Sequence, residues 1–445
     1  MVSGGIALLY LVLAIALIIY LTARYHMNAF VVLLLVAFLY GLFSGMPLPD
    51  IVKNIRTGFG NTLAYIGIVI VAGTIIGTIL EKTGGALAMT NTILRVVGKD
   101  RSPLAMSIAG YVVSIPVFCD SGFVILTPLN KALAEETGKS MAVMAVALAT
   151  GLYATHCLVP PTPGPIAAAG ILNADLGMLI GVGLIASIPP MIAGYLWATL
   201  FAKRYEIKAQ LAESYDSLLQ KYGKLPSTTL SFAPIVVPIV LILFKSVSDF
   251  PTKPFGEGLN ARILSFIGDP VTALLIGVFL ALLLVKSEAK KEAISSWMDL
   301  GVKNAALILA ITGAGGSFGA ILKASPMGDF LGNTLSTYNL GILLPFIIAA
   351  ALKTAQGSST VAIITTASIM APLIESLGLH PVLTVLAIGA GSMTVSHAND
   401  SYFWVVSQFS DMEVPVAYRA YTTATLVEGV VAIIGIMILS FFITV

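Results

Sequence analysis

Apolar runs of about membrane-crossing length recur along the whole chain, and they limit what it can fold into. Residues 5–22, 28–46, 62–80, 231–247, 271–285 and 422–443 are of this kind. A helix needs about 20 such residues to cross the hydrocarbon of a bilayer, where its backbone polar groups must be satisfied internally. Hydrophobic residues make up 57% of the 445 and charged residues only 10%, against roughly 25% charged in soluble domains. Mean hydropathy is +0.96. A soluble chain this apolar would aggregate. The composition therefore predicts an all-α polytopic membrane protein with about ten to twelve membrane elements, some of them short. The first run has no basic leader, ends at Arg24 and lacks a small-residue cleavage site, so it reads as a first span rather than a signal peptide.

Two charged stretches interrupt the pattern. One, residues 203–224, contains Lys203, Arg204, Lys208, Lys221 and Lys224; the other, 286–303, contains Lys286, Lys290, Lys291 and Lys303. Two apolar segments separate them, so both face one side, which the excess of lysine and arginine makes the cytoplasm. The 248–270 loop is then external. This divides the chain into an N-terminal membrane half (1–202), a cytoplasmic linker (203–230) and a C-terminal membrane half (231–445).

The halves resemble each other. Gly73-Thr-Ile-Ile-Gly77 is echoed by Gly315-Gly-Ser-Phe-Gly319. At nearly the same offset, Asp120–Ser121 falls opposite Ser359–Thr360 and His156 opposite His397. Three matches in one order favour internal duplication. Each half also carries residues that a plain span would avoid. Four prolines crowd Val159-Pro160-Pro161-Thr162-Pro163-Gly164-Pro165, and none can continue a helix interior. In the second half, Ala355-Gln-Gly-Ser-Ser-Thr360 interrupts an apolar stretch, and Gly391-Ser392 precedes His397. Irregular backbone at membrane depth survives only inside protein or beside a wet cavity. These points predict broken helices or re-entrant tips, and such breaks in duplicated halves point to a secondary transporter.

The ionisable residues inside apolar runs are the candidates for chemistry, because such groups are costly in a bilayer and usually mark an ion or substrate path. Asp120 can bind a proton or a cation, with Ser121 and Gly122 beside it. Gly122 would let substrate approach the backbone. The alternative for Asp120 is a helix cap. His156 and His397 can carry a proton near neutral pH or serve as packing residues. His397 and Asp400, three apart, share a face if helical. If the segment is a hairpin tip, Asn399 joins them in one pocket; the alternative is a polar loop at the membrane surface. Gln356, Ser358, Ser359, Thr360 and Thr162 offer hydrogen bonds to a hydroxylated ligand, or hold helices together. Lys353 can pair with a carboxylate, but the favoured reading is that it snorkels to the headgroups. Glu428 is a lone carboxyl in the last span and ranks low for substrate contact. Cys119 and Cys157 read as small buried packing residues.

Other classes find no support. A formal net charge of +2 with no basic run gives nucleic acid no footing. There is no Walker lysine in a glycine-rich loop, no metal-ligand spacing and no Gly-x-Ser-x-Gly elbow. No cofactor is expected beyond a coupling proton. Two alternatives remain open from the residues alone: an intramembrane enzyme using Asp120 and Asp400 as an acid pair, and a passive channel.

The motifs Ile115-Pro-Val-Phe-Cys-Asp-Ser-Gly-Phe-Val-Ile-Leu, His156-Cys-Leu-Val-Pro-Pro-Thr-Pro-Gly-Pro, Ala355-Gln-Gly-Ser-Ser-Thr-Val-Ala and Ser396-His-Ala-Asn-Asp-Ser-Tyr-Phe-Trp resemble the gluconate permease (gluconate:proton symporter) family. The resemblance runs in order over nearly the whole chain. It implies a proton-coupled importer of gluconate or a related small hydroxy acid in a bacterial inner membrane. It also implies the ion-transporter superfamily fold, with two inverted repeats, each with a re-entrant hairpin, in a homodimer moving as an elevator. The implied substrate-binding residues are Ser121, Gly122, Thr162, Gln356, Gly357, Ser358, Ser359, Thr360, Asn399 and Ser401. The implied proton-coupling residues are Asp120, His156, His397 and Asp400. Family members also carry D-serine and glycerate-like acids, which the shared motifs do not separate. Lys353 departs from the arginine expected nearby, and lysine cannot grip a carboxylate bidentately.

Overall fold

The computed structural model describes residues 4–209, 223–248, 254–325, 340–398 and 400–443. All regular structure among them is helical. The first half contains α1 (Gly4–Ile19), α2 (Ala29–Phe43), α3 (Leu48–Thr83), α4 (Gly85–Val97), α5 (Ser102–Val113), α6 (Cys119–Thr137), α7 (Met141–Leu158), α8 (Pro163–Leu172), α9 (Leu176–Ala186) and α10 (Ile188–Leu200). The second contains α11 (Thr228–Ser248), α12 (Leu259–Ile267), α13 (Pro270–Leu282), α14 (Met298–Lys323), α15 (Leu343–Gln356), α16 (Ser359–Met370), α17 (Pro381–Ser392), α18 (Ser401–Phe409) and α19 (Thr423–Leu439).

Among the described residues, six helical stretches are long and apolar enough to cross a membrane, and α12 with α13, bent by 64°, passes the same test if the pair is one span and not a re-entrant loop. The other apolar helices run only 10–17 residues, so the expected membrane elements divide into long spans and short ones. Large apolar side chains such as Val12, Ile68, Phe244, Phe279 and Ile434 are exposed; on a membrane protein that surface belongs in lipid. The two basic stretches flank α11 and the bent α12–α13 pair. Residues 210–222 of the expected linker lie outside the described residues.

The duplication is visible as element order. Helices α2, α3, α5, α6, α7 and α8 are followed, in the same sequence, by α13 to α18. The long helices α3 and α14 pack along each other, and small residues allow it. A Cβ on Gly58 would stand 2.4 Å from the Gly316 carbonyl oxygen, and the Ser317 hydroxyl donates to the Ile55 carbonyl at 2.9 Å.

Among the described residues, two helix breaks in each half carry or adjoin the residues singled out in the sequence. In the first they are Ser114–Phe118, between α5 and α6, and Val159–Thr162, between α7 and α8. In the second they are Gly357–Ser358, between α15 and α16, and Met393–Asp400, between α17 and α18. The Ser114–Phe118 break was not anticipated, although Pro116 marks it. The paired glycines read from the sequence serve these breaks. A Cβ on Gly77 would lie 2.3 Å from the Pro116 carbonyl oxygen, and one on Gly73 3.2 Å from Pro161. Helix α3 therefore backs both irregular segments of its half.

Candidate functional site

Asp120 is the second residue of α6. The break before it turns on Pro116 and is braced by the Ser114 hydroxyl, which donates to the Val117 carbonyl at 3.2 Å. Phe118 is the flanking residue, with extended backbone and no side-chain cap. Asp120 thus does not cap the helix. Its Oδ1 is buried with no hydrogen-bond partner among the described residues. His156 lies one turn from the end of α7. Its ring stacks on Tyr153 with centroids 6.3 Å apart and planes at 11°, and its buried Nδ1 has no partner among the described residues.

The second half supplies the charge partner. Lys353, in the last turn of α15, is fully buried. Its Nζ lies 2.5 Å from Asp400 Oδ2, donates to the Gly357 carbonyl and stands 5.8 Å from the centre of the Tyr153 ring. This corrects the snorkelling expectation. A lysine whose partner lies 47 residues away leaves no local sign of it. Gly357 has φ +91°, a backbone region open to glycine, and that conformation turns its carbonyl to the ammonium.

Asp400 flanks α18 as its cap, with Oδ1 accepting from the Tyr402 N–H at 3.1 Å. Its Oδ2 also accepts from the Ser396 hydroxyl at 2.5 Å. Ser396 is gripped in turn: its N–H donates to Thr425 Oγ1 at 3.0 Å, and the Thr422 hydroxyl donates to its carbonyl at 2.6 Å. The segment is irregular, with Val395 at φ +50°, so His397 and Asp400 do not share a helical face. His397 Nε2 instead lies 2.9 Å from the Thr354 carbonyl oxygen. Nor is this a surface loop, since Ser396 and Asp400 are buried.

The halves meet through aromatic rings. Tyr402 lies 5.4 Å from Tyr153 and 6.2 Å from Phe123 in ring centres, and its hydroxyl donates to the Ala149 carbonyl at 3.1 Å. Gly389 lets α17 close on α7, because a Cβ there would stand 2.3 Å from the Cys157 carbonyl oxygen. The charges of Asp400 and Lys353 both act on Asp120 and on His156. Lys353 pairs with Asp400, while Asp120 Oδ1 has no partner among the described residues.

The remaining expected residues divide by what they touch. Gly122 packs against Leu152, whose side chain a Cβ would meet at 2.7 Å; helix packing, not substrate approach, explains the glycine. Gln356 spans its own break, donating to the Ser358 carbonyl at 2.5 Å and accepting from the Ser358 N–H at 3.1 Å. The Ser358 hydroxyl caps α16. Thr162 donates to the Val159 carbonyl at 2.5 Å. The hydroxyls of Ser121, Ser359 and Thr360 make no hydrogen bond among the described residues, and Ser401 is exposed at the start of α18. Asn399 lies outside the described residues. Cys119 and Cys157 are buried free thiols, as read. Tyr153, Tyr421, Thr422 and Thr425 escaped the sequence reading; the threonine-rich start of the last span, close before Glu428, was the available signal.

The model of the GntP family permeases matches residues 6–442. The chain belongs to the GntP permease family. A gluconate permease of Pseudomonas aeruginosa is 36% identical over 97% of the chain and 96% of its own length. A D-serine transporter of Escherichia coli K12 is 34% identical over 97% and 98%. Among solved structures, the YdaH transporter of Alcanivorax borkumensis superposes with a TM-score of 0.64 over 89% of this chain and 90% of its own. At 16% identity that likeness shows the fold alone. A GntP permease is a multi-pass transporter of a small molecule and not an enzyme, which closes the intramembrane-enzyme alternative.

Proposed function

We propose that this GntP permease is a proton-coupled symporter that imports gluconate or a similar small hydroxylated carboxylate across a bacterial inner membrane. The observation that carries the reading is the meeting of Asp120, unpaired, with the buried Lys353–Asp400 pair at facing helix breaks. An unpartnered carboxylate in a low-dielectric interior is costly, and protonation relieves the cost. Coupling is a free energy shared between two sites, so substrate must bind better when Asp120 holds its proton. An anion arriving beside an ionised Asp120 meets repulsion, and the proton removes it. The first turns of α6 and α16 offer free N–H groups and the hydroxyls of Ser121, Ser359 and Thr360, a setting suited to a carboxylate.

The name of the Pseudomonas aeruginosa relative supports gluconate; the Escherichia coli relative supports D-serine as the second reading. Both substrates carry a carboxylate and hydroxyl, and differ in the ammonium. In this reading the four breaks form re-entrant hairpins in two inverted repeats, and a homodimer carries the substrate by elevator motion. Purified protein in liposomes tests it by competition of labelled gluconate with glycerate and D-serine, with and without an inward proton gradient. Uptake that never exceeds the outside concentration and does not respond to a protonophore would establish the passive channel instead.

A further inference from the structure

Glu428 lies within α19, fully buried, and neither carboxyl oxygen has a hydrogen-bond partner among the described residues. An ionised carboxyl there would lack both water and counter-charge, a cost of several kcal/mol or more. The helix face it occupies leads to the site. Thr425 and Glu428, three apart on α19, share one face, and both, like Tyr421 of the π-helical turn Tyr418–Thr422 just before α19, are fully buried. Thr425 is the residue that accepts the Ser396 N–H and so holds the break bearing Asp400. Gly429 brings α19 against that break, where its Cβ would lie 2.2 Å from the Thr394 side chain.

The ionisable groups that Glu428 acts on are Cys157 of α7, Tyr402 of α18 and Tyr421 of the π-helical turn Tyr418–Thr422 before α19. Of the other elements packed on α19, α9 and α17 carry no titratable side chain, α10 carries Tyr195, α7 carries Tyr153, His156 and Cys157, and the Tyr418–Thr422 turn carries Tyr418, Arg419 and Tyr421. None of these makes a hydrogen bond to the Glu428 carboxyl among the described residues.

We propose that Glu428 is a proton-binding residue of the transport cycle, neutral in this conformation and releasing its proton when the cycle exposes it to water. The carboxyl O–H bond breaks, the proton passes to water, and no redox change is involved. The inference rests on the reading of proton-coupled transport above.

The test is E428Q in liposomes with the membrane potential clamped at zero. Each coupled proton multiplies the substrate accumulation ratio about tenfold per pH unit of gradient. E428Q keeps substrate exchange within about twofold of wild type, yet its accumulation ratio falls about tenfold at a gradient of one unit. E428D, which restores a titratable group, regains at least part of that ratio. An unchanged ratio in E428Q overturns the inference while leaving proton coupling intact. Loss of exchange as well as accumulation also overturns it, because that places Glu428 in folding or binding. A wild-type protein that ignores the proton gradient sinks the underlying reading itself.

Discussion

Removing the ammonium of Lys353 is the perturbation the structure quantifies best. The pair is 2.5 Å apart, with side-chain exposures of 0% and 6%. Breaking a buried pair by removing one partner costs about 3–5 kcal/mol, because the other charge stays buried. In Lys353→Met, Asp400 keeps two donors, the Ser396 hydroxyl and the Tyr402 N–H. Hydrogen bonds to a charged group stabilise by about 1.5–3 kcal/mol each, which places this variant near the lower bound. In Asp400→Asn, Lys353 keeps only the Gly357 carbonyl and the face of Tyr153, so its loss lies near the upper bound. The double variant buries no charge, and the asparagine still accepts from Tyr402; its loss is about 1 kcal/mol. Equilibrium unfolding in mixed micelles of all four proteins yields the coupling energy, expected at about 7 kcal/mol from single losses of about 3 and 5 against a double loss of about 1. Losses that add within about 0.5 kcal/mol would refute the claim that the two side chains form one buried unit.

Asp120→Asn removes the unpaired carboxyl with little change of shape and abolishes pH-gradient-driven uptake; a variant that still concentrates substrate with the normal pH dependence would show that Asp120 is not the coupling group. Gly77→Ala drives a Cβ to 2.3 Å from the Pro116 carbonyl, whereas its repeat partner Gly319 has its nearest neighbour at 3.4 Å. The first change destabilises by about 1–3 kcal/mol and the second stays near neutral, which melting of the purified variants compares directly. Gly357→Ala, at φ +91°, costs about 1–3 kcal/mol and displaces the carbonyl that holds Lys353, so it slows uptake more than Ser358→Ala does in the same assay.

The sequence displayed the membrane class, the duplication and three of the four helix breaks because each has a local cause. Apolar length, glycine spacing and crowded prolines are read without knowing what lies across the fold. Asp120 and Asp400 stood out because a carboxyl in an apolar run is expensive wherever it packs. Lys353 was misread for the opposite reason: the long side chain suits a headgroup as well as a buried partner, and the choice was made by Asp400 on another helix. Gly122 looked like an opening for substrate, yet Leu152 of α7 fills that space. Tyr153 and Tyr421 left no trace, since an aromatic ring in an apolar span carries no periodic signal. Thr422 and Thr425 matter only because the 393–400 segment bends back to them.

The most direct test is a cryo-EM map of the protein in lipid nanodiscs with the acid that competes best for uptake. The account predicts ligand density between the Asp120 and Asp400 breaks, against the first turns of α6 and α16. Density confined to the cleft lined by Asn61, Asn173, Lys323 and Glu375, with the Asp120 region empty, would contradict it.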